Sequence, residues 1–443
     1  MPDEILRALN RCNPNEALRP GDDRFVDLDD IRGIAVQSKM MRLLEAADGG
    51  DKYAHIAFAG HRGGGKSTEL FRVIERARDQ GYVTLYAGVT EEIDPDELAF
   101  GDVFRLMASK LEHEFGDLAE NHEQVRKAFE NVEQWFREVT LLRDEQETRD
   151  LRFGFEAGLG GQVDAEAGLP VAKFKTGLGK ILAAIGVQRQ SLTKESTEIR
   201  SKVERYPQGL QENLNLLLGA IRRAKECRGI LFVLDNVDRY SPELVNSVFL
   251  RNSALFTGIE AHLIFTVPIS LLYSPPEDSV HDRYTSATLP MIPVFVARSR
   301  TLDESVVRRM QDAVYARVPK NLFAAEELVR EMIRLSGGCW RDLLRLLHAA
   351  LLETVTRIGE PEVKRATLIV RGELARPLTQ DQYRVLVKVS QTKQLDPSPE
   401  NQKLLFQRAV LEYNGEGWFD VHPLLEDARQ FQDALASGRE VTQ

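Results

Sequence analysis

The residues Gly60-His61-Arg62-Gly63-Gly64-Gly65-Lys66-Ser67-Thr68 satisfy every fixed position of the pattern G-x-x-x-x-G-K-[ST]. Glycines at this density let successive backbone N–H groups converge on phosphate oxygens, and a helix starting at Lys66 adds about half a positive charge at its first turn. Lys66 would reach the terminal phosphates and the Ser67 hydroxyl would hold a magnesium ion. The candidate ligand-binding residues are therefore Gly60, Arg62, Gly63, Gly64, Gly65, Lys66, Ser67 and Thr68, for a nucleoside triphosphate with Mg2+. Such a loop must sit between a strand and a helix. His55 to Ala59 is a short apolar run and Glu69 to Ala77 has helical periodicity, so both elements are expected.

Hydrolysis needs a second group. Gly229-Ile230-Leu231-Phe232-Val233-Leu234-Asp235 reads as a buried parallel strand tipped by a carboxylate, and Asp235 is the candidate magnesium-side ligand. The next residue, Asn236, cannot take a proton. Asp238, three residues past Asp235, has two readings: the carboxylate that activates water, or an N-terminal cap for the helix beginning near Ser241-Pro242-Glu243.

The string Leu234-Asp235-Asn236-Val237-Asp238-Arg239 resembles the D-x-x-D arrangement of STAND and KAP-type ATPases, and the order of motifs along the chain resembles AAA+ P-loop ATPases. The resemblance implies ATP and Mg2+ as ligands. It implies Thr266, at the end of the apolar run Ala261 to Pro268, as a first sensor. It also implies Arg283 as an arginine reaching a neighbour's ATP, with Arg251 and Arg239 as rivals, and so a homo-oligomer. Leu335-Ser336-Gly337-Gly338-Cys339-Trp340-Arg341 resembles the second-sensor motif of the AAA+ lid, close to the origin-recognition branch, and implies that Arg341 contacts the ATP phosphates. Lys66, Asp238, Thr266, Arg283 and Arg341 are the candidate catalytic residues. By the same resemblance Arg24 to Val26, ahead of the core, would contact adenine.

The elements that must position these groups imply an α/β fold with a P-loop αβα core on a parallel sheet, and by the same resemblance a helical lid and a C-terminal winged helix. Residues 1–50 read as a linker, 51–300 as the core, 301–375 as the lid and 376–443 as the winged-helix domain. An insertion is expected over 115–201. Its first half carries a helical stripe at Val125, Phe129, Val132, Phe136 and Val139, and its second half alternates like a hairpin over 151–169. A further strand is expected over 287–296. In the last domain Val410 to Tyr413 and Trp418 to Val421 flank Asn414-Gly415, a hairpin signal.

The bulk composition bounds the partners. With 443 residues, 43% of them apolar, the chain can bury two or three cores. The formal charge of −10, and 8 basic against 10 acidic residues in 376–443, leave nucleic-acid binding without electrostatic support. The apolar run from Leu263 to Tyr273 is broken by Pro268 and too short for a bilayer, so no membrane partner and a cytoplasmic location are expected. Cys12, Cys227 and Cys339 match no metal spacing and read as packing residues. The sequence has no nuclease or protease constellation. The expected function is an ATP-driven switch or assembly ATPase controlling a separate effector protein, as in bacterial signalling or antiviral defence ATPases that the chain resembles. The alternatives are a DNA-bound loader of origin-recognition type and a nucleotide-held scaffold with little turnover.

Overall fold

The computed structural model describes residues 2–50, 52–94, 98–141, 178, 207–275, 278–413 and 418–440. The chain is α/β. Five strands, β1 (His55–Gly60), β2 (Tyr82–Gly88), β3 (Gly229–Asp235), β4 (His262–Pro268) and β5 (Thr285–Leu289), form one parallel sheet in the order β2-β3-β4-β1-β5. Every residue of β3 and of β4 is buried, as expected where apolar runs do not alternate with polar residues. The strand expected over 287–296 ends at Leu289. Pro290 and Pro293 lack the N–H groups a ladder needs, and the segment beyond Leu289 contributes only isolated bridges.

The chain divides into two compact units. The first comprises Met1–Leu43, Ile56–Arg76 and Thr266–Gln443. It holds α1 (Pro2–Arg11), α2 (Asp29–Arg32) and most of α3 (Val36–Asp48), with the glycine loop and the start of α4 (Lys66–Asp79). It also contains the helices Glu304–Tyr315, Glu326–Ser336, Trp340–Glu353, Glu360–Ala375, Gln380–Thr392 and Pro399–Phe406. One hydrophobic core runs through it, from Ile5, Ala8 and Cys12 through Leu343, Leu346 and Leu347 to Leu404, Val421 and Phe431. The first fifty residues are therefore more than a linker: Ile5 and Ala8 in α1, and Cys12 just after it, recur at helical spacing and are buried on that core. The last two expected domains share this core as well. The terminal hairpin, β6 (Val410–Tyr413) with β7 (Trp418–Val421), pairs antiparallel, and all eight of its strand residues are buried.

The second unit comprises Leu44–His55 and Ala77–Phe265. Phe249 stacks on Phe256 and Phe265 at centroid distances of 4.6 and 4.7 Å, and Phe104 meets Phe256 edge-on. The helical stripe of the expected insertion is spent here: Val125, Phe129, Val132 and Phe136 are buried in the helix Glu123–Leu141, which packs on Pro207–Lys225. The expected hairpin over 151–169 lies outside the described residues.

Candidate phosphate-binding site

β1 ends at Gly60 and α4 begins at Lys66, so the glycine motif is a strand-to-helix loop. Gly63 and Gly65 have φ of +80° and +103°, a region that side chains rarely adopt. Gly64 N–H donates to His61 O at 3.1 Å, tightening the turn. The buried Lys66 ammonium donates to Gly60 O at 2.7 Å and to His61 O at 3.0 Å, which holds its charge inside the loop. Ser67 and Thr68 occupy the first turn of α4, and the Thr68 hydroxyl accepts from Leu18 N–H at 3.1 Å.

The segment 336–342 closes on this loop. Gly337, at φ +59°, terminates the helix Glu326–Ser336, and a Cβ on Gly338 would overlap the Ile292 carbonyl. This turn sends the chain to the loop: Arg341 N–H donates to Gly63 O at 3.1 Å, and Cys339 Sγ lies 3.7 Å from Arg62 O. Contact is close enough that a Cβ on Gly63 would overlap Arg341 Cβ. Arg341 is thus seated beside the glycines by its own backbone.

Several contacts at the loop were not legible in the sequence. His61 is buried, and its Nε2 accepts the N–H of Glu412 in β6 at 2.8 Å, which assigns the ring proton to Nδ1. Burial, with Lys66 nearby, pushes its pKa down to about 3, so the ring is neutral. The Arg62 guanidinium lies 3.9 Å from the centre of the Phe406 ring. Next to Arg341, the fully buried Asp342 accepts from Arg408 Nε and Nη2 at 3.2 and 3.1 Å and pairs with His422 Nε2 at 3.2 Å. Burial would raise the Asp342 pKa, but Arg408, His422 and Arg345 outweigh it and hold the carboxyl well below its usual range.

The guanidinium of Arg24, expected against adenine, bonds Glu16 and Asp22. Thr266 and Arg283 belong to the same unit as the loop. Thr266 is fully buried in β4, and Arg283 is half-buried in the turn before β5.

Asp235 and Asp238 lie in the second unit. Asp235 closes β3, with Oδ1 accepting Asn236 N–H at 2.7 Å and Oδ2 accepting the Tyr86 hydroxyl at 3.1 Å. Asn236 has φ +67° and starts a single 3-10 turn, Val237–Arg239, in which Asp238 is buried. The helix cap belongs to Ser241, whose Oγ accepts Leu244 N–H, so the capping reading of Asp238 falls away. Arg239 and Arg251 are exposed. No protein-family model matches the chain, and a search of curated proteins found no match.

Proposed function

We propose that this chain is an ATP-binding and hydrolysing switch of the AAA+/STAND kind that acts on a separate effector protein. The observation that carries the reading is the seating of Arg341 against Gly63 in a strand-to-helix glycine loop that already encloses the Lys66 ammonium. Gly63, Gly64 and Gly65 would offer N–H groups to the phosphates, and Lys66 would exchange its two carbonyl partners for phosphate oxygens. Ser67 and Asp235 would hold magnesium, which takes few protein ligands. Mg2+ supplies charge neutralisation on the transferred phosphoryl group. Asp238, at the buried turn after β3, would accept the proton of the attacking water.

Titrating MgATP into the purified protein in a calorimeter, followed by phosphate release, tests this reading. Binding that Lys66→Ala abolishes supports it, and no heat with folded wild-type protein overturns it. Phosphate release untouched by Asp238→Asn would remove Asp238 from its role.

One observation favours a slower machine. Asn236 stands directly after the carboxylate of Asp235, whose two oxygens are already bonded to Asn236 N–H and Tyr86. A nucleotide-held scaffold would bind ATP tightly with almost no turnover, which the same phosphate assay distinguishes.

A further inference from the structure

One buried cation at the loop has donors to spare. Arg32 ends α2, a single turn held by Leu28 in the core, by Gly33 in the left-handed conformation, and by Arg72 and Arg309 bonding Asp27 and Asp30. Arg32 is 6% exposed. Nη2 donates to Gly64 O at 2.7 Å and lies 3.5 Å from where a Cβ on Gly65 would stand. Nε and Nη1 are buried, and among the described residues nothing hydrogen-bonds either. The nearby carboxylates do not take them: Glu69 bonds Arg72, and Asp27 bonds Arg72 and Asp29 N–H. Burial depresses the Arg32 pKa, only partly offset by Glu69, Asp29 and Asp27.

A guanidinium buried with two donors unsatisfied is costly unless an anion completes it. Its fixed fork suits the oxygens of a phosphate better than any single acceptor. We infer that Arg32 is a ligand of the polyphosphate chain, donating from Nε and Nη1 to phosphate oxygens held over Gly64 and Gly65. The inference rests on the reading of the glycine loop as a nucleotide site and adds a cation from the first fifty residues to it. Arg32 recognises phosphate and not the base, so inorganic tripolyphosphate would use it as ATP does.

The test compares wild type, Arg32→Gln and Arg32→Lys by calorimetry with MgATP and with tripolyphosphate, alongside the melting midpoint of each ligand-free protein. A hydrogen bond to a charged group is worth about 1.5–3 kcal/mol, so Arg32→Gln should weaken both ligands by about 10- to 150-fold. Arg32→Lys, which keeps the charge and loses the fork, should fall between. The ligand-free Arg32→Gln protein should melt at or above the wild-type midpoint, because a buried unsatisfied charge has been removed. Wild-type affinity retained within about threefold in Arg32→Gln overturns the inference while leaving the nucleotide site standing. A midpoint several degrees lower, with binding lost, makes Arg32 a structural residue and also overturns it. Failure of wild type to bind MgATP at all removes the nucleotide site itself.

Discussion

Arg341 N–H donates to Gly63 O at 3.1 Å, and there is no room between the two residues for a methyl group on Gly63. The same glycine has φ +80°, so its lack of a side chain is required twice, by conformation and by the neighbour. Gly63→Ala should cost about 1–3 kcal/mol in backbone strain. Displacing Arg341 should add a similar amount, about 1–3 kcal/mol. Gly50→Ala, whose Cβ would meet Ala47 O at an ordinary 3.6 Å, serves as the control. Melting curves of the two variants check this, and equal midpoints would refute the packing described here.

Lys66 and Arg341 should separate binding from turnover. Lys66 lies inside the loop and bonds its carbonyls, so Lys66→Ala removes the charge that the phosphates would meet, and MgATP affinity should fall by at least about 100-fold. Arg341 reaches the loop from the following helix, and its side chain would contribute chiefly where charge develops. Arg341→Ala should bind ADP within a few-fold of wild type and release phosphate at least about tenfold more slowly. Equal loss of ADP binding in both variants would contradict this division.

What was legible in the sequence follows the range of the interaction. Local pattern placed β1, the loop and α4, because glycine spacing and helical periodicity act over a few residues. His61 and Glu412 are 351 positions apart, and no local signal marks a loop histidine as the acceptor for a strand in the last hairpin. Arg32 was hidden for the same reason: its burial against Gly64 depends on α2 folding back over the loop. Asp342 carries no local signal either: the partners that hold it, Arg408 and His422, lie 66 and 80 positions away. The apolar content that suggests a strand over 287–296 continues past Leu289, but Pro290 and Pro293 cannot donate to a ladder, so the strand stops there.

His61 should make the protein acid-sensitive. Its folded pKa lies near 3, below the ordinary 6.5, so the unfolded chain binds more protons in between. Stability from this residue is present above about pH 6.5 and is lost as pH falls toward 3. Protonation would also put a donor on Nε2 opposite the Glu412 N–H, breaking their bond. Asp342 is depressed instead, so its contribution persists down to about pH 4 and does not explain losses above that. Midpoints measured from pH 7.5 to 4 should fall more steeply for wild type than for His61→Gln, a difference on the order of a few kcal/mol at the acid end. Parallel curves would show that His61 does not titrate as described.

Asp342 ties the segment carrying Arg341 to the C-terminal hairpin region. It is fully buried and holds Arg408, itself nearly buried, through two hydrogen bonds, with His422 and Arg345 on the same carboxylate. Removing only the negative charge leaves the Arg408 guanidinium inside the protein without its counter-ion, a change that typically costs about 3–5 kcal/mol. Asp342→Asn should therefore melt well below wild type even though its shape is conserved. Replacing both partners, Asp342→Leu with Arg408→Met, removes the unpaired charge as well as the pair and should recover a large part of that loss. The same single variant should loosen the backbone that seats Arg341 on Gly63, so MgATP should raise its midpoint less than it raises that of wild type. If the double variant is as unstable as Asp342→Asn, the loss comes from shape and not from a stranded charge. An unchanged ATP-induced shift in the single variant would mean that this carboxylate does not position Arg341.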